Sequence, residues 1–182
     1  MSPPGPSPVL RRLARWRVPV GFVAGLAALW LARPTAGTLA AGAAIAAVGE
    51  ALRIWAAGHL EKSREVTRSG PYRFLRHPLY VGSTLMAIGF AVAAHDLGVA
   101  LLAAFYVGLM FGVAVRAENA FLRERFGAEY EAWRSGAGPA VPRRFSLERA
   151  VRNREYRAVI GLLVALALLW LKKGAWPLLH LT

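Results

Sequence analysis

Apolar positions are gathered into five blocks, residues 18–33, 38–57, 79–94, 97–115 and 158–171, separated by segments that hold nearly all of the charge. The middle blocks approach the roughly 20 residues that a helix needs to cross the hydrocarbon core of a bilayer. The pattern predicts an all-α, polytopic membrane bundle of about five spans with a charged helical region near its C-terminal end. The tight turn "AHDL" (94–97), with only His95 and Asp96 between the third and fourth blocks, predicts an antiparallel helical hairpin. The last block is short, and fits either a shallow fifth span or a helix lying in the interface. Residues 1–17 form a Pro- and Arg-rich stretch, expected as a partly disordered tail. Residues 18–182 are expected as one membrane domain, with motif regions at 58–82 and 116–145. The Arg-rich start followed by an apolar run imitates a secretory leader. "LARPTAG" is a poor small-x-small cleavage site and a second apolar block follows at once, so the run is expected as a retained helix.

Composition agrees with this division. Of 182 residues 56% are hydrophobic, the mean hydropathy is +0.39, and the formal charge is +13. Soluble domains are nearer to about 45–50% apolar. A nucleic-acid binder is also basic, but it does not interleave its cations with apolar blocks of this length, so nucleic acid is not an expected partner. The tail, residues 58–77 and residues 116–157 carry 4, 5 and 10 Lys/Arg, against 3 on the opposite side of a five-span arrangement. The positive-inside bias therefore puts both motif regions in the cytoplasm, with a bacterial inner membrane as the expected setting. The chain has no cysteine, and its four histidines show no i,i+4 pair, so neither disulfides nor a metal site are expected.

Two stretches carry the chemistry. In "SGPYRFLRHPLYVG" (69–82) a Gly-Pro turn precedes Arg76, His77, Pro78, Tyr80 and Gly82 at the start of an apolar helix. Pro78 suits the first helical turn, where its missing N–H is not needed. Arg76 offers a planar fork for a carboxylate, His77 and Tyr80 add hydrogen-bonding groups, and Gly82 would admit a ligand close to the backbone. Interfacial Arg, Tyr and His also serve as plain membrane anchors, and spacing alone leaves both readings open. The second stretch, "RAENAFLRERFGAEYEAW" (116–133), repeats aromatic and aliphatic residues at helical spacing with a break expected at Phe126-Gly127. Glu118 stands where this helix leaves the apolar block. It fits a contact to an ammonium or a ribose, or an ordinary ion pair with a neighbouring Arg. Glu50 and Arg53, at i,i+3 on the Ala/Gly-rich second block, read as an ion pair near the helix end or as groups facing an aqueous cavity.

Taken together, "WAAGHLEKSREVTRSGPYRFLRHPLYVG", "AENAFLRERFGAEYEAW" and "VPR" (141–143) resemble the isoprenylcysteine carboxyl methyltransferase family of integral-membrane methyltransferases, which is related to the phospholipid N-methyltransferases. The resemblance covers about half of the chain. It implies S-adenosyl-L-methionine as methyl donor, bound by Tyr72, His77, Tyr80, Gly82, Glu118 and Asn119. It further implies Arg76 and Glu118 in catalytic roles, Arg76 orienting an acceptor carboxylate. The family usually has a second acid where this chain has Asn119, which can hydrogen-bond but carries no charge. The acceptor implied is a lipophilic small molecule or lipidated peptide, such as an isoprenylcysteine-like carboxylate, since no dedicated base for an amine stands out. The competing readings are a phospholipid or amine N-methyltransferase, an NADPH-dependent membrane reductase of the sterol or enone type, and a non-enzymatic basic protein that binds anionic membrane lipid.

Overall fold

The computed structural model describes residues 8–62, 64–136 and 142–179. It is all-α: α1 (Pro8–Leu31), α2 (Ala36–Ala57), α3 (Pro78–Ala94), α4 (Leu97–Arg134), α5 (Leu147–Arg152) and α6 (Tyr156–Leu179), with a 3-10 turn at Gly70–Arg73. Among the described residues α2 and α4 are long and apolar enough to cross a membrane, while Pro19–Leu31 and α3 are shorter apolar helices. Large apolar side chains such as Phe22, Trp30, Leu101, Phe105 and Trp170 face outward. That exposure would be a liability in water and suits a lipid surround.

Local chemistry sets the helix ends. Thr35 and Thr38 close a reciprocal capping box at the start of α2: Thr35 Oγ1 accepts from the Thr38 N–H, and Thr38 Oγ1 accepts from the Thr35 N–H. Pro78 occupies the first position of α3 and is buried there. His95 takes the left-handed conformation (φ 50°) that ends α3, and Asp96 Oδ1 accepts from the Val99 N–H to start α4. This is the expected hairpin turn.

Small residues make the closest helix contact. Gly42, Ala46 and Gly49 of α2 lie against Gly82, Gly89 and Ala93 of α3, so that a Cβ added at Gly49 would stand 2.6 Å from the Gly82 carbonyl oxygen. Without side chains between them the two backbones meet directly, which is how apolar helices associate where water exclusion gives no drive. A second cluster, Ala28, Ala32, Ala93, Ala94, Val99 and Leu169, joins α1, α3, α4 and α6 at the opposite end.

Three expectations change. The helix of the first block begins at Pro8, so residues 8–17 are helical and not tail, while residues 1–7 lie outside the described set. The fourth block and its charged extension form a single 38-residue helix, kinked at Gly127 (φ 45°, ψ −115°), where the break was expected. The last block extends into a continuous 24-residue helix packed against α2 and α3, longer than its apolar core alone suggested.

Candidate functional site

A cavity of about 650 Å³ opens at the end of the bundle where residues 58–77 meet the outer half of α4. Its walls bring together the two stretches singled out in the sequence: Tyr72, Arg76, His77 and Tyr80 from the first, Glu118, Phe121 and Leu122 from the second.

The start of α3 presents His77. As the residue before Pro78 it is kept out of the helical region (φ −134°, ψ 63°) and makes no side-chain cap. Its ring turns across to α4 instead, with Nδ1 3.6 Å from Glu118 Oε2. One turn on, Tyr80 packs between His77 and Phe111, with ring centroids 5.8 and 5.2 Å away. Tyr72 comes from the 3-10 turn, and its hydroxyl is shut off from solvent without a hydrogen-bond partner among the described residues. Burial, aided by the charges of Glu118 and Glu155, pushes the Tyr72 hydroxyl far above the usual phenol range, so it keeps its proton and acts as a donor.

Other expected residues stand elsewhere. Gly82 does not line the cavity. It is buried in the α2–α3 seam, where an added Cβ would lie 2.6 Å from both the Gly49 carbonyl oxygen and Arg53 Cγ. Asn119 points away too: its Oδ1 accepts a 2.9 Å hydrogen bond from the hydroxyl of buried Tyr130, pinning α4 to its own continuation beyond the kink. Arg76 lines the cavity but is exposed, with Nη2 donating to the Arg134 carbonyl.

The inner wall holds groups that sequence alone did not bring together. Arg53 Nε donates to Glu155 Oε1 at 2.7 Å, and Nη1 donates to Ser83 Oγ and to the Leu79 carbonyl. Glu50 lies 3.8 Å from the same guanidinium, buried to 6% exposure, and neither of its oxygens has a hydrogen-bond partner among the described residues. Glu155 is the acid in "RNREYR", which reads as an ordinary solvated basic run. Its being the lone carboxylate there was the available signal.

The segment after residue 141 clamps the loop from 58 to 68. Arg143 grips Glu65 bidentately at 2.6 and 2.8 Å and also donates to the His59 carbonyl. Arg149 and Arg152 both donate to Glu61, and Asn153 Nδ2 donates to the carbonyls of Ala57 and Leu60. Of the "VPR" motif, Val141 lies outside the described residues, while Arg143 is a keystone of this clamp.

Size and lining suit a nucleotide-sized cation. The volume falls within the roughly 300–1,000 Å³ usual for small-molecule sites. Tyr80 and Phe111 offer aromatic faces for a base or a sulfonium. Glu118 is half-exposed to the cavity, and the Tyr72 hydroxyl awaits an acceptor. Among the described residues no group of three or more His, Asp or Glu is placed to hold a metal ion.

Comparison with known proteins identifies a family and two relatives. A profile of the phospholipid methyltransferase family matches residues 22–129. The cobalt-zinc-cadmium resistance protein CzcN of Cupriavidus metallidurans is 36% identical over 134 residues, covering 65% of this chain and 59% of that protein. The nickel-cobalt-cadmium resistance protein NccN of Alcaligenes xylosoxydans is 32% identical over 129 residues, covering 63% of this chain and 57% of its own. The chain thus spans less than three-fifths of the length of these relatives. No solved structure matches it.

Proposed function

The chain belongs to the phospholipid methyltransferase family, the integral-membrane methyltransferases that include the isoprenylcysteine carboxyl methyltransferases, and from that premise we propose that it transfers a methyl group from S-adenosylmethionine to the polar end of a lipophilic acceptor at the cytoplasmic membrane face. The observation that carries this is the meeting of Tyr72, His77 and Tyr80 with Glu118 around one cavity. When bound, the cofactor supplies an electrophilic methyl on a positively charged sulfur. Glu118 would hold its cationic or ribose groups, Tyr80 and Phe111 its flat or sulfonium parts, and the cavity walls would hold the acceptor in line. Methyl transfer needs little more than that alignment, provided the acceptor's lone pair is free.

The charges favour an amine acceptor over the carboxylate expected from Arg76. A carboxylate held deep in the cavity needs an uncommitted cation there. Arg53 is matched by Glu155, and Arg76 and Lys62 are exposed. Glu118 and Glu155 instead give the interior carboxylates for an ammonium to meet.

The test is transfer of label from tritiated S-adenosylmethionine, by the purified protein in detergent micelles, to amine-headed and to carboxylate-headed lipids. Label in the amine lipids is the expected result. Label confined to carboxylate lipids would return the acceptor to the other class, and NADPH binding without cofactor-derived label would overturn methyl transfer altogether.

A further inference from the structure

The inner wall holds two carboxylates about one guanidinium. With both acids ionised the cluster of Glu50, Arg53 and Glu155 carries one surplus negative charge, and both acids are buried, each near 6% exposed. A buried charge without a counter-charge is costly, so the cluster is short of either a proton or a cation. No other cation among the described residues pairs with Glu50 or Glu155. Glu155 lines the cavity, whereas Glu50 lies behind Arg53 and does not. Of the two acids only Glu155 can meet a group that enters the cavity.

We propose that Glu155, backed by Arg53 and Glu50, is the proton acceptor for the substrate amine. This rests on the amine acceptor proposed above. An alkylamine enters as an ammonium, whose lone pair is tied up by its proton. The ammonium is drawn to the one inner-wall carboxylate it can reach. One N–H proton passes to a Glu155 carboxyl oxygen, leaving a neutral amine and a cluster with no surplus charge. The freed lone pair forms the new N–C bond while the methyl C–S bond breaks, its electron pair staying on sulfur, so the product is an N-methylammonium and a thioether. The proton on Glu155 then leaves through the open end of the cavity. The ionisable groups around this position are Glu50 and Arg53 on α2, Tyr72 from the 3-10 turn, Tyr80 on α3 and Glu118 on α4. Of these Tyr72 is a fixed donor, and Glu118 lies across the cavity beside His77.

Two lipids separate this role from a structural one. One carries an aminoethyl head. The other carries an aminooxyethyl head, whose weakly basic oxyamine nitrogen is already neutral at neutral pH. Glu155→Gln keeps an oxygen for Arg53 Nε but cannot hold the proton. It is expected to lower kcat on the aminoethyl lipid by about a hundredfold or more, the usual scale for losing a positioned base, and on the aminooxyethyl lipid by no more than about threefold. Equal losses on both lipids, or no loss on either, would overturn the assignment while leaving the amine acceptor standing. A wild-type protein that methylates neither amine would remove the acceptor class itself. A second readout needs no variant and no cofactor. The head-group nitrogen of the ¹⁵N-labelled aminoethyl lipid, bound to the wild-type protein, should show the NMR shift of a neutral amine. An ammonium shift there would overturn the proposal even if Glu155→Gln failed to fold.

Discussion

His77 Nδ1 stands 3.6 Å from Glu118 Oε2, across the gap between the start of α3 and the middle of α4. That contact joins the two motif stretches at the cavity wall, so a cofactor held there would touch both.

Removing either side of this link should weaken cofactor binding without loosening the bundle. Hydrogen bonds to charged groups contribute about 1.5–3 kcal/mol, so Glu118→Gln is expected to lower the affinity for S-adenosylhomocysteine by about ten- to a hundredfold. Isothermal calorimetry in detergent measures it. An unchanged affinity for both His77→Ala and Glu118→Gln would remove the cofactor from this cavity.

Asn119 should behave in the opposite way. Asn119→Leu leaves the buried Tyr130 hydroxyl without its partner, at a cost of about 1–3 kcal/mol. Denaturant or thermal unfolding should register that loss, while S-adenosylhomocysteine affinity stays within about twofold. A large drop in affinity with normal stability would return Asn119 to the cofactor.

Gly82→Ala tests the helix seam. The new methyl would meet the Gly49 carbonyl oxygen and Arg53 Cγ at 2.6 Å, and overpacking of this kind costs about 1–3 kcal/mol. Gly161→Ala, where nothing lies within 4 Å, is the matched control and should leave the melting temperature unchanged or slightly raised.

The clamp around residues 58–68 predicts an acid limit. A hydrogen bond from Arg149 holds the Glu61 carboxyl below its ordinary value near 4.5, and the charges of Arg152, Arg149 and Arg143 add to the effect against the opposing pull of burial. A carboxyl depressed in the folded state stabilises it above the unfolded pKa, and that contribution disappears as the pH falls through the folded value. Thermal stability should therefore hold from neutral pH down to about 4.5 and then decline. In Glu61→Gln the neutral-pH stability should be lower and the acid decline shallower, as followed by melting at stepped pH.

Much of this architecture is legible in the text of the chain because it is local. Pro78 must begin a helix, Phe126-Gly127 must interrupt one, and the run of Gly and Ala in α2 must admit a close neighbour. Each depends on residues within a turn or two. The pairing of the two motif stretches was legible only through their resemblance to a family, since nothing in spacing says that residue 77 faces residue 118. The inner wall was harder. Arg53 and Glu155 are 102 positions apart and Arg143 and Glu65 are 78 apart, so their bonds exist only once the helices are stacked. Gly82 shows the ambiguity in its plainest form. A missing side chain serves a ligand or a neighbouring helix equally well, and only the position of Gly49 decides between them.

Lys172, on the final helix, donates from its Nζ to the carbonyls of Leu29 and Trp30, which close the first one. During synthesis those two carbonyls go without this donor until residue 172 has been added. A ribosome-bound chain stalled before this lysine would leave that end of α1 uncapped.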